Sequence, residues 1–240
     1  MIEPRKSPGF QHILSHYLTY QLKKHFYRIW IDDQRKEGNA SSGHLVLANH
    51  SSWWDGLMVF YLNDKVIKED SYAMMSEQGM EDFPFFRKIG AFSVNPELPK
   101  DLVKSLKYAE KCLQEKKTVW IFPQGREEHL EKRPLSFMSG PGFLIERNPE
   151  IKITMVTFYY TFRHDQRPEL FIQISETAVD ATRQHSRKVL TDYLRTVMEN
   201  RLENIKSDII HGDISAYHLL LKGFPTNSEW LSFWKRRKQG

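Results

Sequence analysis

Short apolar runs alternate along this chain with longer stretches in which apolar residues recur every third or fourth position. Leu45–Ala48, Tyr72–Met75, the segment after Gly90, Thr118–Phe122, Ile151–Phe162 and Glu169–Ile174 have the length and composition of buried strands. Helical spacing predicts a helix after Asp55 through Leu57–Leu62, another over Asp101–Lys116, and a long one from Val189 to about Ile205. A further stripe runs through Phe10, Ile13, Leu14, Tyr17, Leu18, Leu22, Phe26, Tyr27 and Trp30, with Lys23, Lys24 and Arg28 on its flanks. It reads as an N-terminal amphipathic helix able to pack on the domain or to lie in a lipid interface. The polar, glycine-containing segment from Asp32 to Gly43 reads as the loop leading to the strand at Leu45.

Chemistry gathers where two of these strands end. Leu45–Ala48 stops at Asn49-His50-Ser51-Ser52-Trp53-Trp54-Asp55. A histidine at the carboxyl end of a buried strand opens onto the crevice where α/β sheets bind ligands. An aspartate one turn into the next helix can accept one imidazole N–H and leave the other ring nitrogen as a base, or the pair can simply cap that helix, to which Ser51 and Ser52 also offer hydroxyls. The second strand, Thr118–Phe122, is stopped by Pro123, and Gly125 permits a tight turn that brings out Gln124, Arg126 and Glu127. In a parallel sheet the two ends share one edge, and Arg126, Lys132 and Arg133 become cations near the histidine, either binding phosphate or carboxylate or simply solvated. Phe83, Phe85, Phe86 and Phe92 could line an acyl tunnel or fill the core.

Composition narrows the classes. At 240 residues and 40% hydrophobic, the chain suits one sizeable core. Cys112 stands alone, so no internal disulfide forms, in keeping with a reducing cytosol. The absence of a long apolar run argues against a spanning helix, and the amino terminus lacks a signal-peptide core. No His/Cys cluster suggests a metal, no Gly-x-Ser-x-Gly elbow suggests a serine hydrolase, and the dispersed basic residues argue against nucleic acid. The net charge of +5 and the closing segment Trp230–Gly240, aromatic and then basic at Lys235–Lys238, suit an anionic leaflet or a frayed terminus.

Three blocks in order, Asn49–Asp55, Gly90-Ala-Phe-Ser-Val94 and Val119-Trp-Ile-Phe-Pro-Gln-Gly125, with Phe137-Met-Ser-Gly140 and a strand from Ile153 after them, resemble the lysophosphatidate (1-acylglycerol-3-phosphate) acyltransferase family over about residues 45–160. The resemblance implies a glycerolipid-acyltransferase-like α/β fold, a single domain with a mixed, largely parallel sheet flanked by helices. Its expected parts are an N-terminal helical segment and loop (1–43), a catalytic core (44–175), and C-terminal helices with a basic aromatic tail (176–240). It implies transfer of a fatty acyl group from a thioester, acyl-CoA or acyl-ACP, to a lipid hydroxyl, with His50 as general base oriented by Asp55. No cofactor or metal is expected beyond that co-substrate. Asn49, Gln124, Gly125, Arg126 and Arg133 would bind substrate, with backbone N–H groups around Gly125 serving the oxyanion. A cytoplasmic protein resting peripherally on the inner face of a membrane is the expected setting.

The departures bear on the acceptor. The family's third block is commonly Phe-Pro-Glu-Gly-Thr-Arg, whereas Gln124, Arg126 and Glu127 stand here at the acid, the threonine and the arginine. Asn95 and Pro96 replace the arginine that usually closes the second block, and Met155 the proline of the fourth. The acceptor is therefore either lysophosphatidate-like or an uncharged lipid or glycolipid hydroxyl, for example a carotenoid glycoside. A non-catalytic lipid-binding protein is the competing class.

Overall fold

The computed structural model describes residues 1–35, 42–179, 186–226 and 229. The basic aromatic tail read from the sequence, and part of the polar loop before Gly43, lie outside the described residues.

Helix α1 (Pro8–His25) starts at Ser7, whose hydroxyl accepts the Phe10 N–H, with Pro8 in the first turn. Strand β1 (Arg28–Asp33) follows at once. The amphipathic stripe therefore ends before Trp30, and the expectation of one helix through that residue is corrected. From Arg28 onward burial alternates, with Ile29 and Ile31 inside and Arg28 and Trp30 partly outside, which is a two-residue period. Next come β2 (His44–Ala48), α2 (Asp55–Leu62), β3 (Ser71–Ser76), α3 (Glu77–Asp82) and β4 (Ala91–Val94). Gly90, at φ +104°, turns the chain into β4. Then follow α4 (Pro99–Gln114), β5 (Thr118–Ile121), α5 (Gly140–Arg147), β6 (Lys152–Thr161), β7 (Glu169–Glu176), α6 (Arg187–His211) and β8 (His218–Lys222).

These strands form one eight-stranded sheet in the order β4-β3-β5-β2-β6-β7-β1-β8. All neighbours are parallel except β6 with β7 and β1 with β8. The outer segments of the chain thus contribute strands as well as helices: β1 lies beside β7, and β8 closes that edge. β2 is buried along its whole length, as a parallel strand covered on both faces must be. One face packs α1 and α2 over Val46, Ala48, Trp120, Val156 and Phe158. The other packs α4, α5 and α6 over Leu45, Leu47, Ile121 and Met155. Among the described residues no helix is long and apolar enough to cross a membrane.

Register positions the chemistry. Leu47 of β2 lies opposite Ile121 of β5 on one side and Met155 of β6 on the other. The segments at His50 and Pro123 therefore leave the sheet side by side at one edge. β6 pairs with β2 only as far as Ala48 and Val156, then runs on to Thr161 past the point where β2 has ended.

Candidate active site

At that edge the His50 Nδ1 lies 3.0 Å from Asp55 Oδ2. Asp55 is fully buried at the first position of α2, and the same oxygen accepts the N–H groups of Ser51 at 2.7 Å and Ser52 at 2.8 Å. The capping expected of Ser51 and Ser52 is thus largely reversed. The aspartate folds back onto their amides; Ser52 Oγ accepts the Trp54 N–H and bonds the Tyr160 hydroxyl, and Ser51 Oγ has no partner among the described residues. The other carboxylate oxygen accepts the Tyr160 hydroxyl at 2.5 Å. A buried anion needs such donors, and here each oxygen has at least one. With Nδ1 held as the donor, Nε2 is the ring nitrogen left to act as a base. The imidazole stacks on Phe122 with centroids 4.4 Å apart, so its tilt is fixed as well.

The backbone of His50 is clamped from the β5 side. Its N–H donates to Gln124 Oε1 at 2.6 Å, and its carbonyl accepts the Glu128 N–H at 3.0 Å. Gln124 Nε2 donates in turn to Glu128 Oε2 at 3.3 Å, and Lys132 Nζ lies 2.6 Å from Glu128 Oε1. Burial pushes the Glu128 carboxyl up, but the Lys132, Ser136 and Gln124 donors prevail and bring it down to about 2. A group whose folded value lies below its ordinary 4.5 contributes stability above that value and loses it as pH falls toward 2. The melting temperature is therefore expected to drop between pH 4.5 and 2, and less steeply in Glu128→Gln, as thermal scans of both proteins would show. Gln124→Glu, which restores the acid common in the resembled family, puts a second carboxylate against Glu128. Its melting temperature should be several degrees below wild type at pH 7, with the gap closing toward pH 5 as one carboxyl takes up a proton and donates again, by roughly the 2–4 °C per kcal/mol usual for a chain of this size.

The dyad opens onto a cavity of about 950 Å³. Gly56, Ala73 and Phe86 line it from the α2 side of the sheet, and Met74, Leu106 and Phe143 from the α4 side. The two sides meet at His50, Phe122 and Gly125. Of the residues read from the sequence as substrate-binding, Gly125 and Arg126 line this cavity. Asn49 does not, because both amide atoms are bonded to the Phe158 backbone and pin the end of β2 to β6. Gln124 is 3% exposed and engaged as above, so it supports the histidine rather than reaching the cavity. Arg133 turns away to the Leu130 and Lys132 carbonyls and to Glu203 of α6. Of the backbone N–H groups around Gly125 expected to serve an oxyanion, that of Gly125 itself bonds the Phe122 carbonyl at 3.1 Å, and its φ of +72° closes that turn. Arg126 and Glu127 follow it on the cavity wall. Among the described residues no group of His, Cys, Asp and Glu is arranged to hold a metal.

A family model described as Acyltransferase matches residues 22–161, which covers both strand ends and the cavity wall between them. The chain belongs to the acyltransferase family. Among solved structures, the acyltransferase is similar to the 1-acyl-sn-glycerophosphate (LPA) acyltransferase PlsC from Thermotoga maritima, with a TM-score of 0.57 and 16% identity over 82% of this chain and 78% of that one. That likeness is one of fold. No curated protein matches.

Several residues that build the candidate site carry little signal in the sequence. Tyr160 looks like any aromatic of a buried strand, and only the overrun of β6 past β2 brings its hydroxyl to Asp55. Glu128 is one charge among several in the turn after Pro123 and does not stand out. A hint lay in the sequence itself, since a glutamine where the family commonly has an acid suggests that a carboxylate is already nearby.

Proposed function

We propose that this acyltransferase moves a fatty acyl group from a thioester, carried on coenzyme A or acyl carrier protein, to the hydroxyl of a lipid acceptor. The observation that carries the reading is a base-oriented histidine at the mouth of a large, mainly apolar cavity. His50 Nε2 takes the acceptor hydroxyl proton as the oxygen attacks the thioester carbon. The tetrahedral intermediate collapses with cleavage of the carbon–sulfur bond, and the imidazolium returns the proton to the departing thiolate. Asp55 holds the tautomer and steadies the imidazolium. The N–H groups of Arg126 and Glu127, which have no acceptor among the described residues, are the candidates for the oxyanion. The chemistry needs no group beyond the two substrates.

Local charge favours an uncharged acceptor. Arg126 is paired with Glu128 at 3.4 Å, Arg133 faces elsewhere, and Glu127 stands on the cavity wall without an ion-pair partner among the described residues. Glu128 is already offset by Lys132 and Arg126, which leaves the Glu127 carboxylate facing a phosphomonoester, whereas a neutral hydroxyl meets no such repulsion. A panel of acyl donors against phosphorylated and neutral acceptors tests this: turnover of lysophosphatidate alone rejects the neutral acceptor, and no turnover with any pair rejects the enzyme. The same assay reads the acyl pocket. Ala73→Leu is expected to move the preferred donor to shorter chains, because each methylene excluded from the cavity forfeits about 0.8 kcal/mol. An unchanged chain-length profile places the acyl chain elsewhere.

Access to lipid fits the outer face of α1. Ile13, Tyr17 and Tyr20 are more than half exposed, as is Trp53 on the cavity wall, and such side chains suit the headgroup zone of a peripheral membrane contact.

A further inference from the structure

Asp55 Oδ1 has Tyr160 as its hydrogen-bond donor, while Oδ2 serves His50 and two amides. The ring of Tyr160 packs against Phe26, 6.1 Å between centroids, so the phenol is held from behind. Outside it lies a second recess of about 590 Å³, bordered by Tyr160, Ser51, Ser52, His25, His129 and Glu131. Phe26, Trp54, Leu130 and Pro168 complete its wall, and the hydroxyl stands between the buried carboxylate and this opening.

We propose that Tyr160 is a positioning residue of the active site: it locks the Asp55 carboxylate in the plane that presents Oδ2 to His50 and keeps water from the recess off Oδ1. This rests on the acyl-transfer reading of the dyad. A carboxylate turns easily about its last side-chain bond. With Oδ1 fixed by Tyr160 and Oδ2 by the Ser51 and Ser52 amides, only one orientation remains. Burial, followed by the negative charge of Asp55, pushes the phenol well above its ordinary value, so it stays protonated and donates throughout the working range. By sharing the carboxylate's charge, the hydroxyl also limits how strongly Asp55 holds a proton on the imidazole.

The test is Tyr160→Phe in the full chain, which keeps the ring and removes only the donor. The turnover number should fall about tenfold with KM for donor and acceptor within about twofold, as is usual when a residue behind the reacting groups is lost. The acid limb of the pH profile should move upward by about one unit, because the carboxylate left with fewer donors favours the imidazolium. In a His50→Ala background the substitution should change the residual rate no further. Incorporating 3,5-difluorotyrosine at position 160, a more acidic donor of nearly the same shape, should move the limb the opposite way, and it reads the proposal even if the phenylalanine variant fails to fold. NMR titration of the His50 imidazole follows the same displacement without turnover, so the relay is tested separately from acyl transfer. A limb and an imidazole titration unchanged in both variants would leave Tyr160 a packing residue and overturn the proposal.

Discussion

Replacing His50 by alanine is expected to lower acyl transfer by about 10²–10⁴-fold, the usual contribution of a positioned general base, with little change in fold. Two features of the site keep the structural cost small. The backbone of His50 is anchored by Gln124 and Glu128, and alanine leaves both bonds in place. Asp55 loses the imidazole but retains the Ser51, Ser52 and Tyr160 donors, so no bare carboxylate is buried. What is removed is a partly exposed ring stacked on Phe122, and a loss of about 1 kcal/mol corresponds to a melting temperature only 2–4 °C lower. Turnover within tenfold of wild type in a well-folded His50→Ala protein would remove the histidine from the mechanism.

Asp55→Ala should be as damaging to turnover and far more damaging to the fold. The carboxylate is inaccessible and accepts two amides, a phenol and an imidazole, all at 3.0 Å or less. Deleting it leaves buried donors unpaired at about 1–3 kcal/mol each, partly relieved where water enters from the recess beside Tyr160. A net loss of about 3–5 kcal/mol is expected, or roughly 10 °C in melting temperature. Asp55→Asn separates the two effects. The amide keeps an oxygen for the backbone donors, so most stability should remain, yet it cannot both accept from His50 Nδ1 and serve Tyr160 as a carboxylate does. On the proposed mechanism the two residues act as one unit, so the His50→Ala/Asp55→Ala protein should be no slower than the worse single variant. Thermal scans beside initial rates decide the matter, and additive losses in rate would mean that the aspartate acts independently of the histidine.

The contrast between these variants shows which parts of the site were legible in the residues. His50 and Asp55 lie where a strand end meets a helix, a weak pattern by itself, and it was the ordered set of family-like blocks around them that made the pair stand out. Gly125 and Arg126 were placed on the cavity by the same reasoning about a proline-stopped strand. Asn49, Gln124 and Arg133 were read as substrate contacts from their neighbours in the chain, and each is engaged by an element distant in sequence: Phe158 on β6, Glu128 in the turn beyond β5, and Glu203 on α6. A polar side chain near a site carries no mark of whether it bonds the protein or the substrate. That is fixed by which donors and acceptors the fold leaves within about 3 Å.

The same division runs through the fold. Local rules determined the interior strands, the α4 and α6 helices and the turn at Gly90, since apolar periodicity and backbone freedom depend on neighbours in the chain. They misjudged Arg28–Asp33, where helical spacing carried over into a segment whose partners, β7 and β8, lie at the far end of the sequence. The sequence by itself determined an α/β chain with a histidine and an aspartate one helical turn apart at a strand end. The tertiary structure alone decided that a tyrosine on β6 holds that aspartate, that Gln124 and Glu128 hold the histidine's backbone, and that the pair faces apolar space. Strand order and register bring those groups together, and pairing between distant segments is settled by the burial of the whole sheet rather than by any stretch of it.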